Sequence, residues 1–403
     1  MNKKIIIISA SVFLILLIGA VLFFLLRGGE TEKTPSGDLP FGEGSNEVVS
    51  TGGIPVTTND ESQFGLTQTS SLRKLSDAPV SGATIFASGS STIVRYIEKA
   101  TGHIYEVNLT LGAKKRISNT TIPKIEEVVW GQLGNSFALR FEKDGILQTF
   151  FASITRATTT NAEGEFSELI GRYLAGNIRN FVFSPDKKKV FYTLSSATGI
   201  GGYRANANAE GSALIWQFPT REWIVSWPAP NIIALNTKAS HGIAGHLLFL
   251  DTTTGRIDSA LGNISGLTSL TSPDSKKIAF SESKNSQTIL YIADSEEQYT
   301  SQSLVDTLPE KCAWADPDIL YCAVPKAGLR GNLPDSWYMG LVSFADAIWK
   351  INTPIGSTNI ISDISEETGR SVDAVSLEIS PLGDELIFKD NIDGGLWALR
   401  LGP

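Results

Sequence analysis

The feature that most constrains this chain is a turn signal that returns at a nearly fixed interval. Ser184-Pro185-Asp186-Lys187-Lys188-Lys189 precedes Val190-Phe191-Tyr192, and Ser272-Pro273-Asp274-Ser275-Lys276-Lys277 precedes Ile278-Ala279-Phe280. A third copy, Ser380-Pro381-Leu382-Gly383-Asp384, stands before Leu386-Ile387-Phe388. Proline presets the backbone at the first central position of a tight turn, and Asp or Gly serves the positions after it. Weaker copies complete the series, with turn centres at Gly89, Leu133, Pro185, Ala229, Pro273, Pro317 and Pro381. The intervals are 44, 52, 44, 44, 44 and 64, so the two long ones carry insertions of about 8 and 20 residues.

Between the turns lie short alternating apolar runs, and no amphipathic helix of three turns occurs. A 44-residue unit of strands and turns is the length of one four-stranded propeller blade. The expected fold is therefore all-β, a seven-bladed β-propeller. An aromatic recurs in the run after each turn: Tyr105, Tyr203, Phe249, Tyr291, Trp349 and Trp397 mark third strands, and only the second blade, at residues 146–150, departs from the pattern. The seventh blade lacks a fourth strand after Trp397. Leu72-Arg73-Lys74-Leu75-Ser76 matches the fourth strand of the first blade, Lys114-Lys115-Arg116-Ile117-Ser118. Residues 70–77 are thus expected to close the ring, which hides the sheet edge. The propeller domain is assigned to residues 66–403.

The Ser-Pro-Asp-x-Lys-Lys turns resemble the WD-repeat-like propeller repeat of TolB-type proteins. The likeness extends over residues 70–403 as an array, and the copies at 184 and 272 carry it best. The Gly-His and Trp-Asp pairs of true WD repeats are missing, as is the Asp-box of sialidase propellers. What the resemblance implies is a scaffold for macromolecular contacts rather than a reaction.

Ahead of the propeller, residues 5–26 form 22 uncharged, largely apolar positions. As a helix they would extend about 33 Å, enough for a bilayer core. The run exceeds the apolar region of a cleaved signal peptide, no cleavage site follows, and no cysteine follows to take a lipid. Residues 1–27 are therefore expected to form a cytoplasmic start and an uncleaved transmembrane anchor. Lys3 and Lys4 favour a cytoplasmic N-terminus, which places the propeller outside the cytoplasm. Residues 28–65, rich in Gly, Thr, Ser, Glu and Pro, read as a disordered, flexible tether.

Charge and motifs narrow the function. Setting aside Lys3, Lys4 and Arg27 leaves 31 of the 34 basic residues against 42 acidic ones, a net charge of −11. An acidic body with no basic stripe argues against nucleic acid. The chain has three histidines, His103, His241 and His246, and none has metal-ligand spacing. No nucleophile elbow, phosphate loop or dinucleotide fingerprint is present, so neither cofactor nor metal is expected. The expectation is that the chain is not an enzyme. Its favoured function is an envelope scaffold that binds a protein or an envelope polymer. Two alternatives stand beside it: a polysaccharide-acting hydrolase or lyase with carboxylates in the channel, and a structural subunit of an envelope or secretion complex.

The candidate binding residues come from loops between second and third strands, which open on the same face as the blade linkers. Enlarged loops are expected there at residues 194–201, 238–245 and 325–344. Lys238, His241, Arg330, Trp337 and Tyr338 are expected to border the partner-binding face. For Trp337 a second outcome stays open, in which the insertion folds back and packs its own indole. Cys312 and Cys322 are equidistant from the turn at Pro317 and should oppose each other across one hairpin. Either they oxidise to a disulfide, as an extracytoplasmic pair can, or they remain two buried thiols. Opposed cysteines that pair are expected to have Cα atoms about 4.4–6.8 Å apart.

Overall fold

A computed structural model describes residues 71–118, 120–155, 166–294 and 299–402. The anchor at 5–26, the tether at 28–65 and residues 156–165 lie outside the described residues. Among the described residues no helix is long and apolar enough to cross a membrane.

Seven four-stranded antiparallel sheets make up the structure. Every turn centre read from the sequence falls at the bend between a blade's first and second strands, from Val80–Ser88 and Ser91–Glu98 in blade 1 to Ala374–Ile379 and Glu385–Asp390 in blade 7. The first strands of successive blades touch one another, so they ring the axis. Ser81 Oγ, for example, donates to Ile125 O at 3.2 Å. A Cβ on Gly82 would sit 2.8 Å from Val128, so only glycine permits that approach.

Four of the six recurrent aromatics stack in cross-strand pairs. Tyr105 lies opposite Tyr96, Tyr203 opposite Tyr192, Tyr291 opposite Phe280 and Trp397 opposite Phe388. Their ring centroids are 5.3, 5.6, 5.3 and 6.4 Å apart. Such a pair adds roughly 0.5–1.5 kcal/mol beyond its area burial. The signal in the sequence is therefore a packing signal, although in blades 4 and 6 the aromatic lies opposite a small residue, Phe249 against Ala234 and Trp349 against Cys322. Blade 2 keeps a regular third strand, Ile146–Thr155, in which Phe150 faces Leu139 instead.

Blade 7 takes its fourth strand from the other end of the chain. Leu72–Ser76 pairs antiparallel with Leu396–Arg400, setting Arg73 against Ala398 and Lys74 against Trp397. The closure is pinned inside the sheet: Arg73 Nη2 donates to Glu385 Oε1 at 2.5 Å, and both side chains are buried.

Strand alternation defines two faces. The linker face carries the blade linkers and the loops between second and third strands, and the turn face carries the first-to-second-strand turns. The chain enters the ring at Ser71 and leaves it at Gly402, both on the turn face. One expected enlargement is corrected. Residues 194–201 form a tight hairpin, because the second and third strands of blade 3 stay paired out to Ser196 and Gly199.

Candidate functional site

The long insertion occupies residues 326–345, between the strands Ile319–Pro325 and Asp346–Asn352 of blade 6. Pro334 starts a single helical turn, Asp335–Tyr338, in which Trp337 and Tyr338 both donate N–H to Pro334 O at 3.0 Å. Apolar side chains hold the insertion down. Leu329, Leu333 and Trp337 form a small core with Leu308 of the preceding linker and Val375 of blade 7, and Phe344 packs against it.

Polar contacts then carry the insertion sideways across blade 5. Gly331 N–H donates to Ser286 O at 3.0 Å, and Ser283 Oγ donates to Leu333 O at 2.8 Å. At the far side Asp335 meets the 238–243 loop of blade 4, accepting from Ser240 Oγ at 2.9 Å and from the His241 N–H. Burial alone would push the Asp335 carboxyl up, but these two donors hold it below the ordinary carboxylate range. The insertion is thus braced on blades 4, 5, 6 and 7.

This bracing determines where the five candidate residues lie. His241 and the Trp337–Tyr338 pair come together through Asp335. Arg330 is exposed over blade 5, where it forms an isolated bridge with Gln287. Lys238 is exposed and lies 3.8 Å from Glu222. Trp337 does not border solvent: it is 8% exposed, and its Nε1 donates to Asp373 Oδ2 at 2.9 Å. Tyr338 points the other way at 40% exposure, with its hydroxyl donating to Glu310 Oε1. Burial and the neighbouring Glu310 carboxylate raise the Tyr338 phenol, and burial raises the Glu310 carboxyl.

The exposed surface of the insertion is an apolar ridge. Met339 is 63% exposed, Leu341 71% and Val342 38%, and Ile243 on the adjoining loop is exposed as well. The backbone beneath is ordered, with Met339 N–H on Asp335 O and Leu341 N–H on Ser336 O. Leu341, Val342 and Ile243 were not singled out in the sequence, although a run of apolar residues inside a loop is itself a signal.

The two cysteines form a disulfide, Cys312–Cys322. They are directly opposed on adjacent antiparallel strands of blade 6. Direct opposition brings their Cα atoms to 4.0 Å, closer than the expected separation. Inside the ring, Glu378 of blade 7 accepts from Thr84 Oγ1 at 2.9 Å and Ile85 N–H at 3.3 Å of blade 1. Burial raises its carboxyl. Among the described residues no group of three or more His, Cys, Asp or Glu side chains is placed to hold a metal ion.

Fold and site together define a seven-bladed β-propeller with one face capped by a braced insertion. No family profile and no curated protein matches the chain. Solved structures do share its fold. The tricorn protease is similar with a TM-score of 0.50 and 10% identity, over 81% of this chain and 33% of that one. This chain therefore spans about a third of that protein's length. An oligogalacturonate lyase from Vibrio parahaemolyticus follows at 0.48 and 11% identity, over 80% and 97% of the two chains. TolB from Acinetobacter baumannii gives 0.43 and 12%, over 79% of each. The likeness to the tricorn protease shows the propeller fold alone. The expectation that the chain is not an enzyme is corrected by the same comparison. A protease is among the proteins with this architecture, so a propeller without a recognised motif is no ground for excluding catalysis.

Proposed function

We propose that the chain is a membrane-anchored, extracytoplasmic binding scaffold that engages a protein partner with the ridge on its linker face. One observation carries this reading: Tyr338, Met339, Leu341 and Val342 are exposed together on an insertion whose underside is fixed at several points. Exposed apolar surface costs roughly 25 cal/mol per Å², and contiguous apolar patches mark interaction sites more often than chance. Preordering the backbone lowers the entropy that a partner must overcome on docking. The anchor at residues 5–26 completes the reading.

The test is affinity capture from the protein's own cell envelope, comparing the wild-type chain with a Met339→Asp, Leu341→Asp double variant. Both side chains are exposed, so the melting temperature should stay within about 2 °C of wild type. Capture of a protein partner should fall at least tenfold. Equal capture by both forms would remove the ridge from the binding face.

A second reading, a polysaccharide-acting hydrolase or lyase, is favoured by Glu378. Its carboxyl is raised by burial on an innermost strand, as a proton donor to a leaving oxygen would require. Loss of polysaccharide cleavage in Glu378→Gln, with unchanged stability, would support it.

A further inference from the structure

Under the ridge lies a buried charge cluster that partner binding does not itself use. Lys311 ends the linker into blade 6, Asp346 begins that blade's third strand, and Asp373 ends the linker into blade 7. All three side chains are fully buried. The Lys311 ammonium donates to Asp373 Oδ1, to Asp346 Oδ2 at 2.8 Å and to Ala374 O at 3.0 Å, which uses all three of its N–H bonds. Two aromatic rings of the insertion cover it: the centroids of Trp337 and Phe344 are 5.4 and 5.3 Å from Nζ. The insertion is therefore fastened through this ammonium and through Asp373.

The charges do not balance. Asp373 is well satisfied, since its Oδ2 accepts from Trp337 Nε1 at 2.9 Å and from Asn391 Nδ2 at 3.2 Å. Asp346 is not: its Oδ2 accepts the Ala374 N–H at 2.7 Å, but its Oδ1 is buried with no partner. One ammonium thus faces two carboxylates away from water. The charged groups packed around them do not make up the difference. Arg370 is engaged with Asp390 and Asp393, Lys326 with Asp363, and Glu310 takes the Tyr338 hydroxyl.

We propose that this cluster is a proton-operated clasp, which binds one proton when the insertion is closed and loosens its hold on the insertion when that proton leaves. The proposal rests on the binding reading, since it describes how the ridge is regulated. Closing the insertion strips water from an excess negative charge, and opening restores that water. The closed state therefore holds the proton more tightly, and by linkage the proton favours the closed state. In keeping with this, burial raises the Asp346 carboxyl from its usual 3.8 to about 6, against the pull of Lys311 and with the push of Asp373. The sign follows from the direction of that shift. The stabilisation is complete below about pH 4, and it is lost as pH rises through about 6. A neutral side chain at Asp346 would supply the proton's effect permanently, because an amide carries no charge and its oxygen can still accept from Lys311 and from the Ala374 N–H.

Hydrogen exchange on the full chain, corrected for intrinsic rates, reads the clasp without any partner. Protection of the amides of Trp337, Met339, Gly340 and Leu341 should fall by up to ~100-fold between about pH 4 and pH 8, with its logarithmic midpoint at about 5 and little further change above about 6. Amides in the strand Glu385–Asp390 should not follow that curve. In Asp346→Asn, protection should stay at the acidic wild-type level throughout. A flat wild-type profile overturns the clasp, as does a profile that Asp346→Asn leaves unchanged. If Asp346→Asn fails to fold, the wild-type profile alone decides. Neither overturning result touches the binding reading, which is tested by capture with the clasp intact.

Discussion

Replacing Arg73 with alanine probes the joint between the two ends of the ring. Arg73 is the second residue of the five-residue closing strand Leu72–Ser76, and its guanidinium is enclosed within blade 7. Nη2 pairs with Glu385 Oε1 at 2.5 Å, and Nη1 donates to Leu109 O at 3.2 Å in the neighbouring blade. Both partners of the ion pair are buried, at 6% and 5% side-chain exposure. Truncation leaves the Glu385 carboxylate buried without its counter-ion, and breaking a buried pair in this way costs about 3–5 kcal/mol. Arg400 Nε, 3.6 Å from the same oxygen, offers partial compensation, so about 3 kcal/mol is the better figure. Urea unfolding should show that loss as a lower midpoint at constant slope. Hydrogen exchange should place the opening first in Leu396–Arg400, the strand that Leu72–Ser76 covers. A paired replacement, Arg73→Met with Glu385→Leu, removes both charges and should recover most of the loss. A cost below 1 kcal/mol for Arg73→Ala, or faster exchange spread evenly over all seven blades, would refute the view that this pair locks the ring.

Two further perturbations test the packing. Removing the Cys312–Cys322 disulfide by a double alanine substitution should cost about 2–3 kcal/mol by loop-closure entropy, and leave the far-ultraviolet circular dichroism unchanged. Gly82→Ala should lower stability by roughly 1–3 kcal/mol in thermal unfolding, because its Cβ would meet Val128 at 2.8 Å where two inner strands touch.

The legible parts of the fold are those written in local chemistry. In the turn at Ser184, the hydroxyl donates to Asp186 Oδ1 at 2.7 Å and accepts the Lys189 N–H at 3.0 Å. The turn at Ser272 repeats this with Asp274 at 2.6 Å and Lys277 at 2.9 Å. Contacts that span two to five residues leave a motif, and the blade count followed from them. Residues 194–201 misled for a related reason. Their glycines suggest a loop, but Gly202 beside them sits in a strand where a Cβ would come 2.5 Å from the Phe191 ring. Glycine there makes room for an aromatic side chain and does not loosen the chain.

The site was legible only in part. The insertion and Tyr338 stood out because they break the repeat. The direction of Trp337 did not, because its indole is held by Asp373, and Asp335 finds its donors at Ser240 and His241 in another blade. The Lys311–Asp346–Asp373 cluster left no trace, since its members lie in two linkers and at a strand start, with no spacing to mark them. Long-range partners of this kind are fixed by ring geometry, and a single sequence does not display ring geometry.

The most direct test of the account is photo-crosslinking in intact cells of the source organism, with a photoreactive residue placed at Met339 on the linker face or at Leu382 on the turn face. Both positions are well exposed, at 63% and 56%, so reactivity with solvent should be similar. A protein partner acting through the ridge predicts a discrete, heavier adduct from position 339 and none from position 382. The same adduct from 382 alone, or from both positions equally, would contradict the proposal that the braced insertion is the binding face.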